Sequence, residues 1–443
     1  MKRSSLRDIM LTLAAGGLEI FERTAGRQRE DIWAMCHRLL ELKGEASAIA
    51  LASEILDNYR KLSQPERLVF FTRLLTDFNP DADRLNQAIA RYQLAGGPNT
   101  LAELAAAAES PRLELLRLLN LGPDGTSSIV SMREDLRQLL PSHPELAPVD
   151  GDLLHLFQSW FNWGFLRIER IDWKTPALIL EKLIAYESVH QIQGWDDLRR
   201  RLAGDRRCFA FFHPQLPDEP LIFVEVALTR GLASSIQDLL AARGPSHEFE
   251  FQPNAAIFYS INNCQPGLIG VSFGSFLIKQ VTDSLAEEFP ELKQYATLSP
   301  IPGFRAWINE QLQAAPPAVP LTDAERGLLS RLDTDRWYEN EGLATQLKPL
   351  LMHLCAYYLV NAKRRNEPRD SVARFHLRNG ARLERLNWLG DTSDKGLRES
   401  AGMLANYVYD RKAVARNHEA YVNDNEIVHS AGIEQLLRRR PRG

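Results

Sequence analysis

Residues 208–228, CFAFFHPQLPDEPLIFVEVAL, decide the fold of the second half of the chain. Two runs in this stretch, 208–214 and 221–228, are rich in β-branched and aromatic residues. The segment HPQLPDEP joins them, and its prolines are typical of a turn between strands. The stretch therefore predicts a β-hairpin.

The sequence that follows the hairpin continues a sheet and adds helices to it. A glycine-rich turn precedes an amphipathic stretch, and short β-rich runs lie on either side of both. The predicted elements are strands at 255–262, 268–271 and 295–299 and helices from near Ser275 and from about Phe304. This order predicts an α+β or α/β domain in which helices pack on the sheet.

The first third of the chain, from Leu6 to about Leu140, is rich in Leu, Ala, Glu and Arg and predicts a helical bundle. Helix starts are predicted at Ser63, with Glu66 at N3, and at Thr100, with Glu103 at N3. Apolar stripes follow, made of Leu101, Leu104, Ala105 and Ala108 and of Leu115, Leu118 and Leu119. One isolated helix cannot bury such a stripe, so we expect a packing or oligomerisation module.

Two segments bear on the limits of these parts. The first residues resemble a signal peptide weakly, but charged residues interrupt the apolar stretch, so an amphipathic helix is predicted there. PSHPELAPVDG, residues 141–151, carries three prolines and a glycine and predicts a linker or domain edge. We therefore predict a helical domain over 1–160 and a second domain, built on the sheet, over 161–443.

Composition excludes several classes of protein. The 443 residues are 44% hydrophobic and 25% charged, with a formal net charge of −4, which disfavours a basic nucleic-acid binder. The four cysteines lie far apart, so neither a disulfide scaffold nor a zinc ribbon is expected. No apolar run approaches the ~18 residues of a transmembrane helix, so no membrane partner is expected and the cytoplasm is the predicted location.

The turn after the third strand is a candidate anion site. Gly270 and Gly274 flank Val271-Ser272-Phe273 where a strand is predicted to lead into a helix. Backbone N–H groups can approach an anion there, and a helix N-terminus favours negative charge, so a pyrophosphate would suit the turn. Ordinary turn geometry is the alternative, because the segment matches neither a P-loop nor a dinucleotide fingerprint.

Two further places carry candidate chemistry. LSPIPGF, residues 298–304, puts Ser299 at a strand end whose backbone is fixed by prolines. The stretch 375–393 gathers polar residues that could act in a site, namely His376, Arg378, Asn379, Asn387 and Asp391. Taken alone, such a serine is usually a cap, and a single histidine is usually a satisfied core or surface group.

Five segments together resemble the malonyl-CoA decarboxylase family and span most of the chain. They are SSIVSMREDL (127–136), AIFYSI (256–261), GVSFGSFLIKQV (270–281), LSPIPGF (298–304) and FHLRNGARLERLNWLGDTSDKGLRESAGMLANYVYD (375–410). The resemblance implies a helical domain used for homo-oligomerisation, followed by a catalytic domain with a GNAT acetyltransferase-like fold. It also implies conversion of malonyl-CoA to acetyl-CoA and carbon dioxide, an activity of fatty acid metabolism.

The same resemblance assigns candidate site residues. The family's catalytic serine falls on Ser299, its proton-donating histidine on His376 and a functional tyrosine on Tyr409, with Tyr407 close enough to confuse the placement. The family's malonyl-CoA-binding loop falls on Ile269, Gly270, Val271, Ser272, Phe273, Gly274 and Ser275. Relatives can carry a glutamate at the position of Ser272, so no carboxylate role is assigned to this loop.

The chemistry of a malonyl thioester fits this set of residues. Electrons released with carbon dioxide flow into the thioester carbonyl, so no metal ion and no organic cofactor is expected. The protein must supply hydrogen-bond donors to the enolate oxygen and an acid for the carbanion. His376 is the expected acid, because an imidazole with a pKa near 6.5 can deliver a proton at neutral pH. Ser299 is expected to bind the carboxylate or the thioester rather than to act as a nucleophile.

Two other functions fit parts of the sequence. An N-acyltransferase of the same fold would use a strand glutamate such as Glu225 as its base. The other alternative is a catalytically inactive CoA-sensing or scaffold protein built on the helical bundle. Asn379 and Asp391 are candidates to orient His376, with helix capping as the alternative. Lys279 and Arg305 are candidates to neutralise CoA phosphates, with simple solvation as the alternative.

Overall fold

The computed structural model describes residues 31–241, 252–271 and 276–438. These residues divide into two compact units. The first contains the described residues up to Arg167, with Phe212–Glu219 and the described part of Gln265–Ser272. The second contains Ile168–Phe211 and the described parts of Pro220–Cys264 and Phe273–Gly443. The amphipathic helix predicted at the N-terminus lies outside the described residues.

The first unit is helical, as the sequence predicts. Its core includes Phe70, whose ring packs against Trp33 at 5.0 Å and against Tyr59 at 4.9 Å between centroids. The helices are α1 Ile32–Glu41, α2 Glu45–Arg60, α3 Gln64–Asp77, α4 Ala82–Ala95, α5 Pro98–Ala108, α6 Pro111–Leu119, α7 Gly125–Leu139 and α8 Ala147–Trp160. Three 3₁₀ turns are described in this unit, at Pro144–Leu146, Trp163–Phe165 and Pro266–Leu268.

The predicted helix start at Ser63 is confirmed, and the one at Thr100 is wrong. The Ser63 side chain and Glu66 form a capping box, with the Ser63 N–H donating to Glu66 Oε2 at 2.7 Å. Thr100 instead lies inside α5, which begins two residues earlier at Pro98, and its hydroxyl donates to the Gly96 carbonyl at 2.7 Å. The helix begins at Pro98 because the fixed φ and the missing N–H of proline suit the first helical turn.

The predicted linker at 141–151 is also wrong. A 3₁₀ turn over Pro144–Leu146 leads directly into α8, which starts at Ala147. Pro148 lies in the first turn of α8, where a missing N–H costs nothing. These prolines mark helix starts, which rules out the linker, whereas the alternative prediction of a domain edge stays a prediction.

The two apolar stripes differ in burial. Leu115 and Leu119 of α6 are fully buried in the bundle. Leu101 of α5 is 51% exposed, so the stripe that begins there is not buried within the chain. All four cysteines are buried free thiols.

The second unit is built on a mixed sheet. Within the described residues, eight strands pair in the order β1-β2-β3-β4-β5-β10-β6, with β9 on the other side of β10. The strands are β1 Arg167–Ile171, β2 Arg206–Phe212, β3 Ile222–Thr229, β4 Ala255–Asn263, β5 Gln294–Thr297, β6 Ser299–Pro300, β9 Arg382–Asn387 and β10 Leu404–Val408. The predicted hairpin is confirmed, since β2 and β3 are antiparallel with Cys208 opposite Glu225.

The predicted strand at 255–262 is confirmed as β4, which pairs parallel with β5. The predicted extension of the sheet at 268–271 is wrong, because Pro266–Leu268 forms a 3₁₀ turn. The run at 295–299 is divided into β5 and β6, which both pair with β10. This division places Ser299 at the start of a new, very short strand.

Helices pack around this sheet, and a small ribbon, β7 Lys363–Arg364 with β8 Glu367–Pro368, lies apart from it. The predicted helix from about Phe304 is confirmed, and the helix predicted near Ser275 is described from Phe276. The helices are α9 Ala177–Tyr186, α10 Trp195–Arg201, α11 Ile236–Ala241, α12 Phe276–Glu288, α13 Phe304–Gln313, α14 Asp323–Ser330, α15 Glu341–Val360, α16 Ser371–Arg378, α17 Asp394–Ser400, α18 Val414–Asp424 and α19 Ala431–Arg438. Short 3₁₀ turns lie at Arg331–Asp333 and Trp337–Glu339.

Candidate active site

Ser299 lies at the start of β6 and is 5% exposed. Its hydroxyl donates a hydrogen bond to Thr297 Oγ1 at 2.8 Å. Thr297 is the last residue of β5, and side chains two residues apart on an extended chain lie on one face. Thr297 therefore fixes the Ser299 oxygen on one side, and the other side of this oxygen stays able to accept a hydrogen bond.

His376 is the residue that the Ser299 oxygen meets. It lies in α16 and is 3% exposed, and its Nε2 is 2.9 Å from Ser299 Oγ. Asp370 caps this short helix by accepting the Ala373 N–H at 2.8 Å. The cap and the packing of the helix fix where the imidazole points.

Two tyrosines of the segment NYVYD contact the imidazole in different ways. The Tyr409 hydroxyl is 2.8 Å from His376 Nδ1. The Tyr407 ring stacks on the imidazole, with centroids 4.7 Å apart and an interplanar angle of 27°. The structure therefore separates a hydrogen-bonding tyrosine from a stacking one, a distinction that the sequence alone leaves open.

Burial governs the charge of these groups. Desolvation lowers the pKa of His376 to about 3, so the ring is neutral at neutral pH. Desolvation also raises the pKa of Tyr409 well above its ordinary value, so its hydroxyl stays protonated. The imidazole pKa near 6.5 that the sequence suggests does not hold in this site, because His376 is enclosed.

Asp370, at the start of α16, is 1% exposed. Burial raises the pKa of its carboxyl to about 6, and backbone N–H groups of Ala373, Val372 and Gly303 oppose that rise. Gly303 belongs to the LSPIPGF segment, which also contains Ser299. The Asp370 carboxylate therefore faces the backbone of both segments that carry the buried pair.

The candidate anion-binding loop is described at Ile269, Gly270 and Val271, whereas Ser272, Phe273, Gly274 and Ser275 lie outside the described residues. Gly270 has φ of +90°, a conformation that glycine adopts readily and other residues rarely do. Arg133 of α7, which is almost fully buried, donates from Nη1 to the carbonyls of Gly267 at 2.7 Å and Ile269 at 2.9 Å. Its Nε also binds Asp150 at 2.8 Å, which fixes the guanidinium. Arg133 thus anchors the backbone that leads into the loop.

Comparison with known protein families places the chain. The family model "Malonyl-CoA decarboxylase C-terminal domain" matches residues 164–443, and "Malonyl-CoA decarboxylase N-terminal domain" matches residues 78–161. The chain belongs to the malonyl-CoA decarboxylase family. This confirms the family and the enzyme class, a carboxy-lyase, that the sequence predicts.

Similar proteins and structures carry the same family name. The mitochondrial malonyl-CoA decarboxylase of Rattus norvegicus is 36% identical over 338 residues, which cover 71% of this chain and 68% of the relative. That of Anser anser anser is 37% identical over 335 residues, 71% of this chain and 66% of the relative. The chain thus spans about two thirds of the length of these mitochondrial relatives.

Solved structures of the family extend the similarity to the fold. The malonyl-CoA decarboxylase of Rhodopseudomonas palustris has a TM-score of 0.88 and 45% identity, covering 91% of this chain and 98% of that one. That of Agrobacterium vitis has a TM-score of 0.87 and 46% identity, covering 93% of this chain and 100% of that one. The predicted fold class is confirmed in its main features, since a helical N-terminal region is followed by a mixed α+β domain.

Glu225, the base of the alternative acyltransferase function, is engaged elsewhere. It is buried in an ion pair with Arg201 at 2.8 Å, and burial raises its pKa to about 8. Its neighbour on the same face of β3, Ala227, packs in a core cluster with Ala296, Leu298 and Leu404. Because side chains alternate along a strand, Thr297 lies on the opposite face from that cluster. The sheet therefore separates Glu225 from the Ser299–His376 pair.

Other predicted helpers of the family site have structural partners. The Asn379 amide donates to the Phe375 carbonyl of its own helix at 2.7 Å, and Asp391 accepts from Gln237 at 2.8 Å and from the Ser393 N–H at 3.0 Å. The bonds to Phe375 and Ser393 are local ones, in line with the alternative that the sequence left open, whereas Gln237 lies far from Asp391 in the sequence. Arg305, a proposed phosphate ligand, is buried and pairs with Asp333 at 2.6 Å. Lys279 lies on α12 and is exposed.

Sequence reasoning missed three residues that support the family site. Arg133 is one, although it lies within the quoted segment SSIVSMREDL. Thr297 could have been found from its spacing of two residues before Ser299 on a strand. Nothing in the local sequence marks Asn406, because its amide bonds the carbonyl of Thr297, which lies on a neighbouring strand.

Two features of the described residues bear on the predicted partners. Among the described residues, no group of three or more His, Cys, Asp or Glu side chains could hold a metal ion. In the same parts of the chain, none of the helices combines the length and the apolar composition that a membrane span requires. The cytoplasmic location and the absence of a cofactor stay predictions.

Proposed function

We propose that this chain decarboxylates malonyl-CoA to acetyl-CoA and carbon dioxide, using Ser299, His376 and Tyr409 and no metal or organic cofactor. The observation that carries the proposal is the buried row of hydrogen bonds from Tyr409 through His376 to Ser299. Membership of the malonyl-CoA decarboxylase family supports it. The thioester supplies the electron sink, so the protein needs only to orient the substrate, desolvate its carboxylate and protonate its α-carbon.

The reaction breaks the bond between the α-carbon and the carboxylate. Its electron pair moves into the thioester carbonyl, carbon dioxide leaves, and an enolate remains. When the substrate binds, the Ser299 hydroxyl turns from Thr297 to donate to the carboxylate or the thioester, which holds the breaking bond perpendicular to the carbonyl plane. The low exposure of Ser299 and His376 keeps water from the departing carboxylate, which favours the loss of its charge.

His376 then protonates the α-carbon from its neutral Nε2–H. Because burial lowers its pKa to about 3, an imidazolium is not the acid at neutral pH. A thioester enolate is basic enough to take a proton from a neutral imidazole. The Tyr409 hydroxyl, donating to Nδ1, stabilises the negative charge that the ring acquires, and solvent restores the proton after the product leaves.

The CoA pyrophosphate is assigned to the loop Ile269–Ser275. The positive φ of Gly270 and the anchoring of the Gly267 and Ile269 carbonyls by Arg133 support this assignment. Backbone N–H groups in such a turn can face phosphate oxygens. The loop requires no carboxylate, in keeping with Ser272.

Self-association through the helical region is also proposed. Leu94 at the end of α4 is 92% exposed, and Leu101 of α5 is 51% exposed, so this helix pair presents apolar surface. Light scattering of the full chain should show a homo-oligomer, and Leu94→Glu with Leu101→Glu should reduce its mass. A monomeric parent chain would contradict this part of the proposal.

The main test incubates the purified full chain with malonyl-CoA and no amine. We expect acetyl-CoA and carbon dioxide in equal amounts, and a loss of about 100-fold or more in kcat for Ser299→Ala and His376→Asn. Ser400→Ala and His353→Asn, which change buried residues outside the hydrogen-bonded row, serve as matched controls. Saturable CoA binding without turnover would favour an inactive sensor, and turnover only with an amine would favour the acyltransferase.

A further inference from the structure

The ladder between β10 and the divided strand β5–β6 keeps one register. Val408 lies opposite Ala296, and Ala405 lies opposite Ser299. The Tyr409 N–H donates to the Tyr295 carbonyl at 2.8 Å, which marks that pair as a hydrogen-bonded one. Such pairs recur every second residue in an antiparallel ladder. Tyr407 should therefore donate its N–H to the Thr297 carbonyl.

The structure shows different hydrogen bonds at the pair formed by Tyr407 and Thr297, which is one rung of the ladder. The Tyr407 N–H bonds to the Thr297 side-chain oxygen Oγ1 at 3.2 Å. The Thr297 carbonyl is bonded by the Asn406 side-chain amide Nδ2 at 2.7 Å. One ladder bond is thus replaced by two bonds that involve side chains, at the point where β5 ends and β6 begins.

This exchange brings the Thr297 hydroxyl to Ser299. With its oxygen turned into the ladder, Thr297 accepts the Ser299 hydroxyl at 2.8 Å as well as the Tyr407 N–H. Thr297 is fully buried, so no water competes for this oxygen. The direction of the Ser299 O–H bond therefore depends on the position of the Thr297 hydroxyl, and this position depends on the bond from Asn406 to the Thr297 carbonyl.

Asn406 is itself held in one orientation. Its Oδ1 accepts from Arg385 Nε at 3.1 Å and from Asn387 Nδ2 at 2.9 Å. Its Nδ2 donates to the Ala233 carbonyl at 3.1 Å in addition to the Thr297 carbonyl. Asn406 is fully buried, and a buried amide with both donors and its acceptor satisfied has no reason to flip.

We infer that Asn406 is a positioning residue for Ser299, acting through Thr297. Its amide takes the Thr297 carbonyl, which turns the Thr297 hydroxyl toward Ser299. In the chain without substrate, the Ser299 proton then points to Thr297, and the free side of the serine oxygen accepts the Nε2–H of His376. In this arrangement His376 carries its proton on Nε2, the atom from which the proposed reaction takes it; the inference rests on that proposed function.

Four variants test the chain of contacts by activity. Asn406→Asp keeps the acceptor for Arg385 and Asn387 but removes the donor to Thr297, and Thr297→Val removes the hydroxyl at similar shape. Each should lower kcat by about 100-fold, as expected for a reacting group displaced by ~1 Å, with a smaller change in KM. Thr297→Ser, which keeps the hydroxyl, should restore most of the activity. Asn417→Asp, which makes the same change at a buried asparagine whose amide donates to the Gly380 carbonyl at 3.2 Å, is the matched control.

The double variant separates positioning from general damage. If Asn406 acts through Thr297, Asn406→Asp combined with Thr297→Val should be no more than about twofold slower than Thr297→Val alone. Effects that multiply, or an Asn406→Asp enzyme with parental kcat, would overturn the inference. Should Asn406→Asp fail to fold, Asn406→Ser, whose hydroxyl is too short to reach the Thr297 carbonyl, replaces it.

A spectroscopic arm needs no substrate. Long-range ¹H–¹⁵N spectra of the imidazole in the parent chain should show His376 with its proton on Nε2, and Asn406→Asp should shift or mix that tautomer. A parent chain with the proton on Nδ1, or an unchanged spectrum in the variant, would overturn the inference. A chain that shows this tautomer but does not decarboxylate malonyl-CoA would instead refute the proposed function.

Discussion

His376 Nε2 lies 2.9 Å from Ser299 Oγ, although 77 residues separate the two in the chain. Ser299 lies where the strand divides into β5 and β6, and His376 lies in the short capped helix α16. Both are almost fully buried, and this burial keeps the imidazole neutral. The contact thus places an uncharged proton carrier beside a hydroxyl in a dry environment, which suits a reaction whose substrate loses a charged group.

The two tyrosines should respond differently to loss of their hydroxyls. Tyr409→Phe removes the bond to His376 Nδ1 and should lower kcat by about 10-fold or more, because the charge formed on the ring loses its donor. Tyr407→Phe keeps the ring that stacks on the imidazole and should retain most of the activity. Steady-state kinetics of both variants provide the comparison, and equal losses would contradict the separate roles.

The pH dependence of kcat should reveal the neutral imidazole. With a pKa of about 3, His376 is uncharged throughout the neutral range, so kcat should not decline as the pH rises from about 6 to about 8. An imidazolium acid with an ordinary pKa would instead lose about tenfold per unit above about pH 6.5. The same profile measured with Asp370→Asn shows whether that buried carboxyl, whose pKa is raised to about 6, contributes to the pH dependence.

Much of the sheet follows from local sequence. The hairpin from β2 to β3 and the strand β4 could be predicted because β-branched and aromatic runs alternate with proline-rich turns. The residues Ser299 and His376 were singled out by the family resemblance, since neither is distinctive alone. Their separation from Glu225 could not be predicted, because which face a strand residue occupies depends on register.

The errors have physical causes. Pro144 and Pro148 read as a linker, but proline is equally suited to the first turn of a helix, and tertiary packing decides between the two. The pKa of His376 could not be read from sequence because it is set by burial. Asn406 escaped notice because its role depends on a single rung of the finished ladder.

Arg133 should affect substrate binding more than turnover. Arg133→Met removes the bonds to the Gly267 and Ile269 carbonyls and should raise KM for malonyl-CoA by about 10-fold, which equals about 1.4 kcal/mol. Arg112→Met is the matched control, because Arg112 is also buried and pairs with Asp152 but does not bond the loop. An unchanged KM in a folded Arg133→Met enzyme would count against the assigned pyrophosphate loop.

Asp370 should cost the protein stability at neutral pH. Its pKa rises from 3.8 to about 6 on folding, so between these values the folded state binds a proton that the unfolded state does not. Stability from this group is therefore present at low pH and is lost as the pH rises through about 6. Asp370→Asn keeps an acceptor for the Ala373 N–H without the charge.

Urea unfolding therefore should show that Asp370→Asn gains stability relative to the parent chain between about pH 4 and about pH 7.5. The gain in the free energy of unfolding should be at most on the order of 3 kcal/mol. Comparing variant with parent cancels the other titrating groups, including His376, whose lowered pKa acts in the opposite sense: its contribution is lost as the pH falls below 6.5. Asp81→Asn makes the same change at an exposed cap, where Asp81 accepts the Arg84 N–H at 2.7 Å, and should show no such increase. A pH-independent difference for Asp370→Asn would mean that the folded carboxyl titrates as it does in the unfolded chain, and that burial at the start of the His376 helix does not hold its proton.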